Sequence, residues 1–99
     1  MLNITKSIEN GSAVFALAGR LDTVTAPELE RALQESLAGV SELTLDFEGL
    51  DYISSSGLRV LLSTHKLMSK QGAMKLRNVG ETIMEIFEVT GFSDILTIE

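Results

Sequence analysis

Leu2, Ile4 and Ile8 fall on one parity of the opening segment, with Asn3, Thr5, Ser7 and Glu9 on the other. That alternation predicts a half-buried strand. Asn10-Gly11 follows, and because both residues tolerate positive φ the pair predicts a tight hairpin. Val14 to Ala18 is apolar on both parities and predicts a central strand returning antiparallel, which the chain leaves through Gly19-Arg20-Leu21-Asp22. Thr25-Ala26-Pro27-Glu28 matches a capping box, with proline in the first turn where its missing N–H is harmless. Leu29, Leu33 and Leu37 then repeat every four residues as the apolar face of a helix, and Gly39 is a plausible stop. Leu43, Leu45 and Phe47 alternate with Thr44 and Asp46, so a third strand is expected to about Phe47, with Gly49 to Ile53 as a loop.

Leu58, Leu61, Leu62, His65 and Met68 have helical spacing, and that helix should stop near Gly72. Ala73 to Val79 predicts a fourth strand, with Met74 and Leu76 alternating against Lys75 and Arg77. Glu81 to Thr90 predicts a third helix burying Ile83, Ile86 and Phe87 and closed by Gly91, while Ile95 to Ile98 allows a short edge strand. The order β-β-α-β-α-β-α implies an α/β fold with a mixed, mostly parallel sheet of four to five strands. It has an N-terminal β-hairpin and three main helices, joined by right-handed crossovers. Residues 1–99 read as one domain, without repeat or linker. Sites in such sheets favour the loops beyond the strand carboxyl ends. Asp22 and the cluster Ser54-Ser55-Ser56 occupy two such loops and should lie close together.

Composition narrows the function classes. At 44% hydrophobic and 22% charged residues, the chain is globular rather than disordered. A net charge of −6 with no basic run argues against nucleic acid and against anionic membrane surfaces. The absence of cysteine removes disulfides and thiolate metal sites. The opening residues alternate like a strand rather than forming a secretion signal, and no apolar run reaches the roughly 18–20 residues of a bilayer span, so a soluble cytoplasmic domain is expected.

The candidate chemistry concentrates in residues 51–62, Asp-Tyr-Ile-Ser-Ser-Ser-Gly-Leu-Arg-Val-Leu-Leu. A helix start offers unpaired N–H groups and a positive dipole end, so serines there serve either as caps or as places to put a phosphate. Residue chemistry alone leaves both uses open. Nucleophilic catalysis would need a base in reach, and the one histidine, His65, lies ten residues beyond Ser55, roughly 15 Å along a helix. A packing or rim role suits it better. Asp22, Asp46 and Asp51 could approach one another and hold Mg²⁺ weakly, although solvated loop acids are the simpler reading and no metal is expected. The glycines follow no Walker or dinucleotide spacing, so no cofactor is specified. Leu21, Tyr52, Ile53 and Leu58 flank the polar block as a possible docking patch, with Ile53 and Leu58 better suited to the core. Arg59 should point outward, toward solvent or an acidic partner.

Gly19-Arg-Leu-Asp22, Leu45-Asp-Phe47 and Tyr52-Ile-Ser-Ser-Ser-Gly-Leu-Arg-Val-Leu-Leu62 together resemble the STAS domain family, above all its free-standing bacterial anti-sigma factor antagonists. The likeness covers essentially the whole chain, including Phe87 and Thr90-Gly-Phe92. It implies a non-enzymatic binding module. When unmodified it sequesters an anti-sigma factor that is also a serine kinase; phosphorylated by that kinase it lets go, and a phosphatase resets it. The family block usually reads Asp-Ser-Ser/Thr-Gly-Leu, with the phosphate on the serine after the Asp. Laid on this chain, Ser54 replaces that Asp, Ser55 is the acceptor, and Ser54 and Ser56 are lesser candidates. The partner surface so implied comprises Leu21, Asp22, Tyr52, Ser54, Ser56, Gly57 and Arg59. A second reading is a STAS module of a transporter-associated or other multiprotein signalling complex, docking through the same surface without a phosphate cycle.

Overall fold

In the computed structural model, which describes all residues from Met1 to Glu99, Asn10 (φ 51) and Gly11 (φ 83) both sit in the left-handed region that a two-residue hairpin turn requires. They join strand β1 (Leu2–Glu9) to β2 (Ser12–Leu21), paired antiparallel from Leu2 opposite Gly19 to Glu9 opposite Ser12. Helix α1 (Ala26–Ser36) crosses over to β3 (Glu42–Ile53), which lies parallel to β2. Helix α2 (Ser55–Met68) crosses to β4 (Ala73–Arg77), parallel to β3, and α3 (Glu81–Thr90) follows. The sheet order β1-β2-β3-β4 is the expected mixed arrangement. Two right-handed crossovers advancing in one direction across the sheet put both connecting helices on the same face.

That shared face is the core. Phe15 and Leu17 of β2, Leu43, Leu45 and Phe47 of β3 and Leu76 of β4 meet Leu29 and Leu33 of α1, Leu61 and Met68 of α2, and Ile83 and Phe87 of α3, all of them buried. Phe87 stands between Phe47, whose ring centroid is 6.2 Å away, and Phe92 at 6.3 Å. The other sheet face carries Asn3, Thr5, Val14, Ala16, Thr44, Lys75 and Arg77 and has no helix over it.

Three expectations need correction. Strand β3 does not end near Phe47, and Gly49 to Ile53 is no loop: the strand continues to Ile53. Its pairing with β2 slips by one residue between Ala16 and Ala18 and again between Gly19 and Arg20. Each bulge inserts an extra residue and flips the alternation, so burial falls on Phe47, Leu50 and Ile53 at intervals of three rather than two. Strand β4 stops at Arg77, two residues short of Val79, because Asn78 turns to φ 57. The possible last strand reduces to a 3-10 turn at Phe92–Asp94 and one parallel bridge, Leu76 to Ile98.

Asp46 fastens the end of β4 to β3. Its carboxylate accepts from the Asn78 amide at 3.0 Å, the Glu48 N–H at 3.0 Å and Arg77 Nε at 3.2 Å. The Asn78 hydrogen bond, then the Glu48 N–H and the Arg77 guanidinium, hold this carboxyl below its ordinary value against the opposing effect of burial. An acid depressed in the folded state takes up its proton first in the unfolded chain. Its stabilisation is therefore complete above the unfolded value, about pH 4, and is lost as pH falls through the lower folded value. Urea unfolding between pH 5 and pH 2 should show a shallower loss of stability in Asp46→Asn than in the native chain; parallel curves would mean the clamp contributes nothing.

Candidate functional site

Leu21 closes β2 and Ile53 closes β3, side by side in register, so the turns that follow them emerge at one edge of the sheet. The first turn is organised by Asp22. Its Oδ1 accepts from the N–H groups of Val24 and Thr25, both at 3.0 Å, and its Oδ2 lies 3.8 Å from Arg20 Nε. The Thr25 hydroxyl accepts from the Asp22 N–H at 2.8 Å and lies 2.8 Å from the Arg20 carbonyl and 3.1 Å from Asp22 Oδ1, either of which can take its proton. These bonds replace the expected capping box: Thr25 is the N-cap of α1, but its side chain turns back to the loop and makes no cap bond. The Thr25 N–H above all, with the Thr25 hydroxyl and the Val24 N–H, holds the Asp22 carboxyl below its ordinary value against the opposing effect of desolvation. Asp22 is thus a half-exposed carboxylate already engaged with its own loop.

The second turn holds the serines, and the three differ. Ser54 is the N-cap of α2, extended at φ −98 and ψ 175, and its hydroxyl accepts from the Gly57 N–H at 3.3 Å. Its own N–H donates to the Leu21 carbonyl at 2.8 Å, tying the two turns together. The helix start is thus capped by a neutral hydroxyl rather than by a carboxylate. Ser55 is the first helical residue and is exposed. Ser56 is half-buried in a shallow furrow of about 140 Å³ lined also by Thr23, Pro27, Glu30 and Arg59.

The furrow and the Ser54–Leu21 bond bring the Asp22 loop and the serine turn together as expected. Two residues assigned to the partner surface do not reach it. Leu21 is fully buried, because its side chain points into the core beneath α2. Gly57 is buried as well: a Cβ there would stand 2.8 Å from both Ile53 Cγ1 and Leu21 Cγ. Its part is to let the helix start lie directly on the strand ends. Tyr52 remains partly open, at 39%. Asp46 does not join Asp22 and Asp51 either. It pairs with Ala16, seven residues before the end of β3 and so roughly 20 Å along the strand, which removes the three-carboxylate cluster. His65 is half-buried on the last turns of α2, far from Ser55.

Arg20 and Val24 were not anticipated. The Arg20 guanidinium sits 4.2 Å from the centre of the Tyr52 ring, its cross-strand partner, on the face away from the helices. Val24 is 77% exposed at the tip of the Asp22 loop. The signal for Arg20 lay in its place beside Asp22; a single apolar loop residue such as Val24 gives none.

A family model for the STAS domain matches residues 3–99, and the chain belongs to the STAS domain family. The anti-sigma-B factor antagonist of Bacillus subtilis is 34% identical over 83 residues, covering 83% of this chain and 76% of that protein. The crystal structure of an anti-sigma factor antagonist from Mycobacterium paratuberculosis aligns with a TM-score of 0.89 at 23% identity, covering 99% of this chain and 85% of that one. SpoIIAA in its unphosphorylated form aligns at 0.77 with 19% identity, covering 98% and 87%. Its phosphorylated form, from Bacillus, aligns at 0.76 with 19% identity, covering 98% and 91%. The structural likenesses establish the fold.

Two substitutions test the junction. Gly57→Ala gains helix propensity of up to about 1 kcal/mol, but the crowded Cβ should outweigh it, for a net loss of roughly 1–2 kcal/mol in urea unfolding. A stabilised variant would show that Leu21 and Ile53 yield freely. Ser54→Ala should cost about 1 kcal/mol and Ser54→Asp much less, since aspartate caps as well.

Proposed function

We propose that this chain is an anti-sigma factor antagonist, a binding module rather than an enzyme. Unmodified, it sequesters an anti-sigma factor that is also a serine kinase; phosphorylated on Ser55, it releases that partner until a phosphatase restores the hydroxyl. The observation that carries the reading is the division of labour among the serines. Ser54 spends its hydroxyl as the cap, Ser56 is half-buried, and Ser55 stands exposed on the first turn of α2. The Bacillus subtilis relative is an antagonist by name, and SpoIIAA, of the same fold, is known with and without its phosphate. Its two forms resemble this chain equally well, at TM-scores of 0.77 and 0.76, which suits a switch that leaves the scaffold intact.

The mechanism follows from size and charge. A phosphate on Ser55 adds about −1.5 to −2 charge and three acceptor oxygens at a helix start, where the dipole tolerates them. A partner surface shaped for a small neutral hydroxyl meets a bulky dianion instead. A loss of roughly 3–4 kcal/mol would weaken binding some hundreds-fold. The partner-facing residues are Asp22, Tyr52, Ser54, Ser56 and Arg59, with Val24 at the rim. Neither nucleic acid nor membrane is a partner, in keeping with the net charge of −6, and the site of action is the cytoplasm.

Incubation with the cognate anti-sigma kinase and ATP, followed by mass spectrometry, should place one phosphate on Ser55. Phosphate on none of the three serines would overturn the reading. Ser55→Ala should bind the kinase like the native chain and Ser55→Asp much more weakly; equal affinities would rule out the switch. Copurification of a transporter subunit in place of a sigma-regulating kinase would favour the second reading, docking without a phosphate cycle.

A further inference from the structure

Arg59 carries a charge that the fold does not use. It is exposed on α2 and forms no ion pair, although Glu30 of α1 lines the same furrow. It stands four residues after Ser55 on the same helix. Residues so spaced share a face, with Cβ atoms roughly 5–6 Å apart, and an acidic group N-terminal to a basic one is the favourable orientation. Ser54 is five residues away, off that face, and its hydroxyl is held by the Gly57 N–H.

We propose that Arg59 is the cationic partner of the phosphate on Ser55, closing a salt bridge within α2 that exists only in the modified protein. This rests on the reading of Ser55 as the acceptor. A guanidinium is suited to the role, because its planar donors fit two phosphate oxygens at once. The bridge does two things. It holds the dianion over the first helical turn, where the dipole already favours it, so the modified helix start is tightened rather than frayed. It also withdraws Arg59 from any acidic group of a docked protein, so one modification both adds repulsion and removes an attraction. Arg59 is thus a positioning residue for the phosphate and a reader of it.

The test uses the full chain with phosphoserine installed at position 55 during translation, so that no kinase is needed, and follows the phosphate resonance by ³¹P NMR as a function of pH. The other charges nearby are Glu30 on α1, Arg20 and Asp22 at the end of β2, and Asp51 in β3. They are the same in every variant, so differences report on Arg59. Arg59→Gln should raise the second phosphate pKa by roughly half a unit, and Arg59→Lys should recover part of the shift without the bidentate fit. Amide exchange in the first turn of α2 should slow on phosphorylation in the native chain and not in Arg59→Gln. Unmodified Arg59→Gln should keep the native thermal midpoint. Superimposed titrations of the native and Arg59→Gln phosphoproteins would overturn the proposal. Failure of the switch itself is a separate result: a phosphoprotein that still binds the kinase at native affinity would leave the titration difference in place.

Discussion

The start of α2 is welded to the end of β2, and the rest of the site depends on that weld. The Ser54 N–H donates to the Leu21 carbonyl at 2.8 Å, and Gly57 lies so near Leu21 and Ile53 that a side chain there would stand 2.8 Å from each. Together they set the height and the rotation of the helix. Successive residues on a helix differ in direction by about 100°, so fixing Gly57 inward leaves little freedom for its neighbours. Ser54 must cap, Ser56 must turn toward α1, and Ser55 is left outside. The exposure of one hydroxyl is thus a consequence of core packing two residues away.

The same weld accounts for the buried Leu21. It sits between the two turns that form the site, yet its side chain supports them from beneath. Its neighbours Arg20 and Asp22 take the opposite part, as the alternation of a strand requires. Arg20 lies over Tyr52 and within 3.8 Å of Asp22, while Asp22 closes its own loop on Val24 and Thr25. Loop geometry at this edge of the sheet therefore comes from polar groups that satisfy one another, which leaves the surface free of bare buried charge.

The fold was legible in the sequence where the hydrophobic period was regular. The hairpin, the three helices and the strand order followed from Asn10-Gly11, from Leu29, Leu33 and Leu37, and from Leu43, Leu45 and Phe47. The far half of β3 was not, because two bulges change the spacing of its buried residues from two to three, and a strand detector built on alternation reads that as irregular. The serine block was visible as a cluster at a helix start. The different fates of its members were not, since they depend on the depth at which Gly57 packs, a tertiary quantity. The Asp22 loop departs from its pattern for a related reason: Thr25 and Glu28 have the spacing of a capping box, but the Asp22 carboxylate takes the Thr25 N–H, and the Asp22 N–H and Arg20 carbonyl engage the Thr25 hydroxyl.

Ser54 caps α2 without a charge, and under the proposed switch that decides where discrimination would reside. A carboxylate at the cap would face a phosphate on the next residue and repel it, so the modified form would be strained before any partner arrived. A neutral hydroxyl makes the same bond to the Gly57 N–H without that repulsion. The phosphate proposed on Ser55 would then meet no charge at the cap, and the helix start together with Arg59 would hold it without a change of fold. Release of a partner would have to come from the interface, through the size and charge of the phosphate and the redirection of nearby cations, rather than from any loosening of α2. Under the proposed switch, a neutral cap would therefore place most of the energetic difference between the two states on the surface where this protein meets its partner.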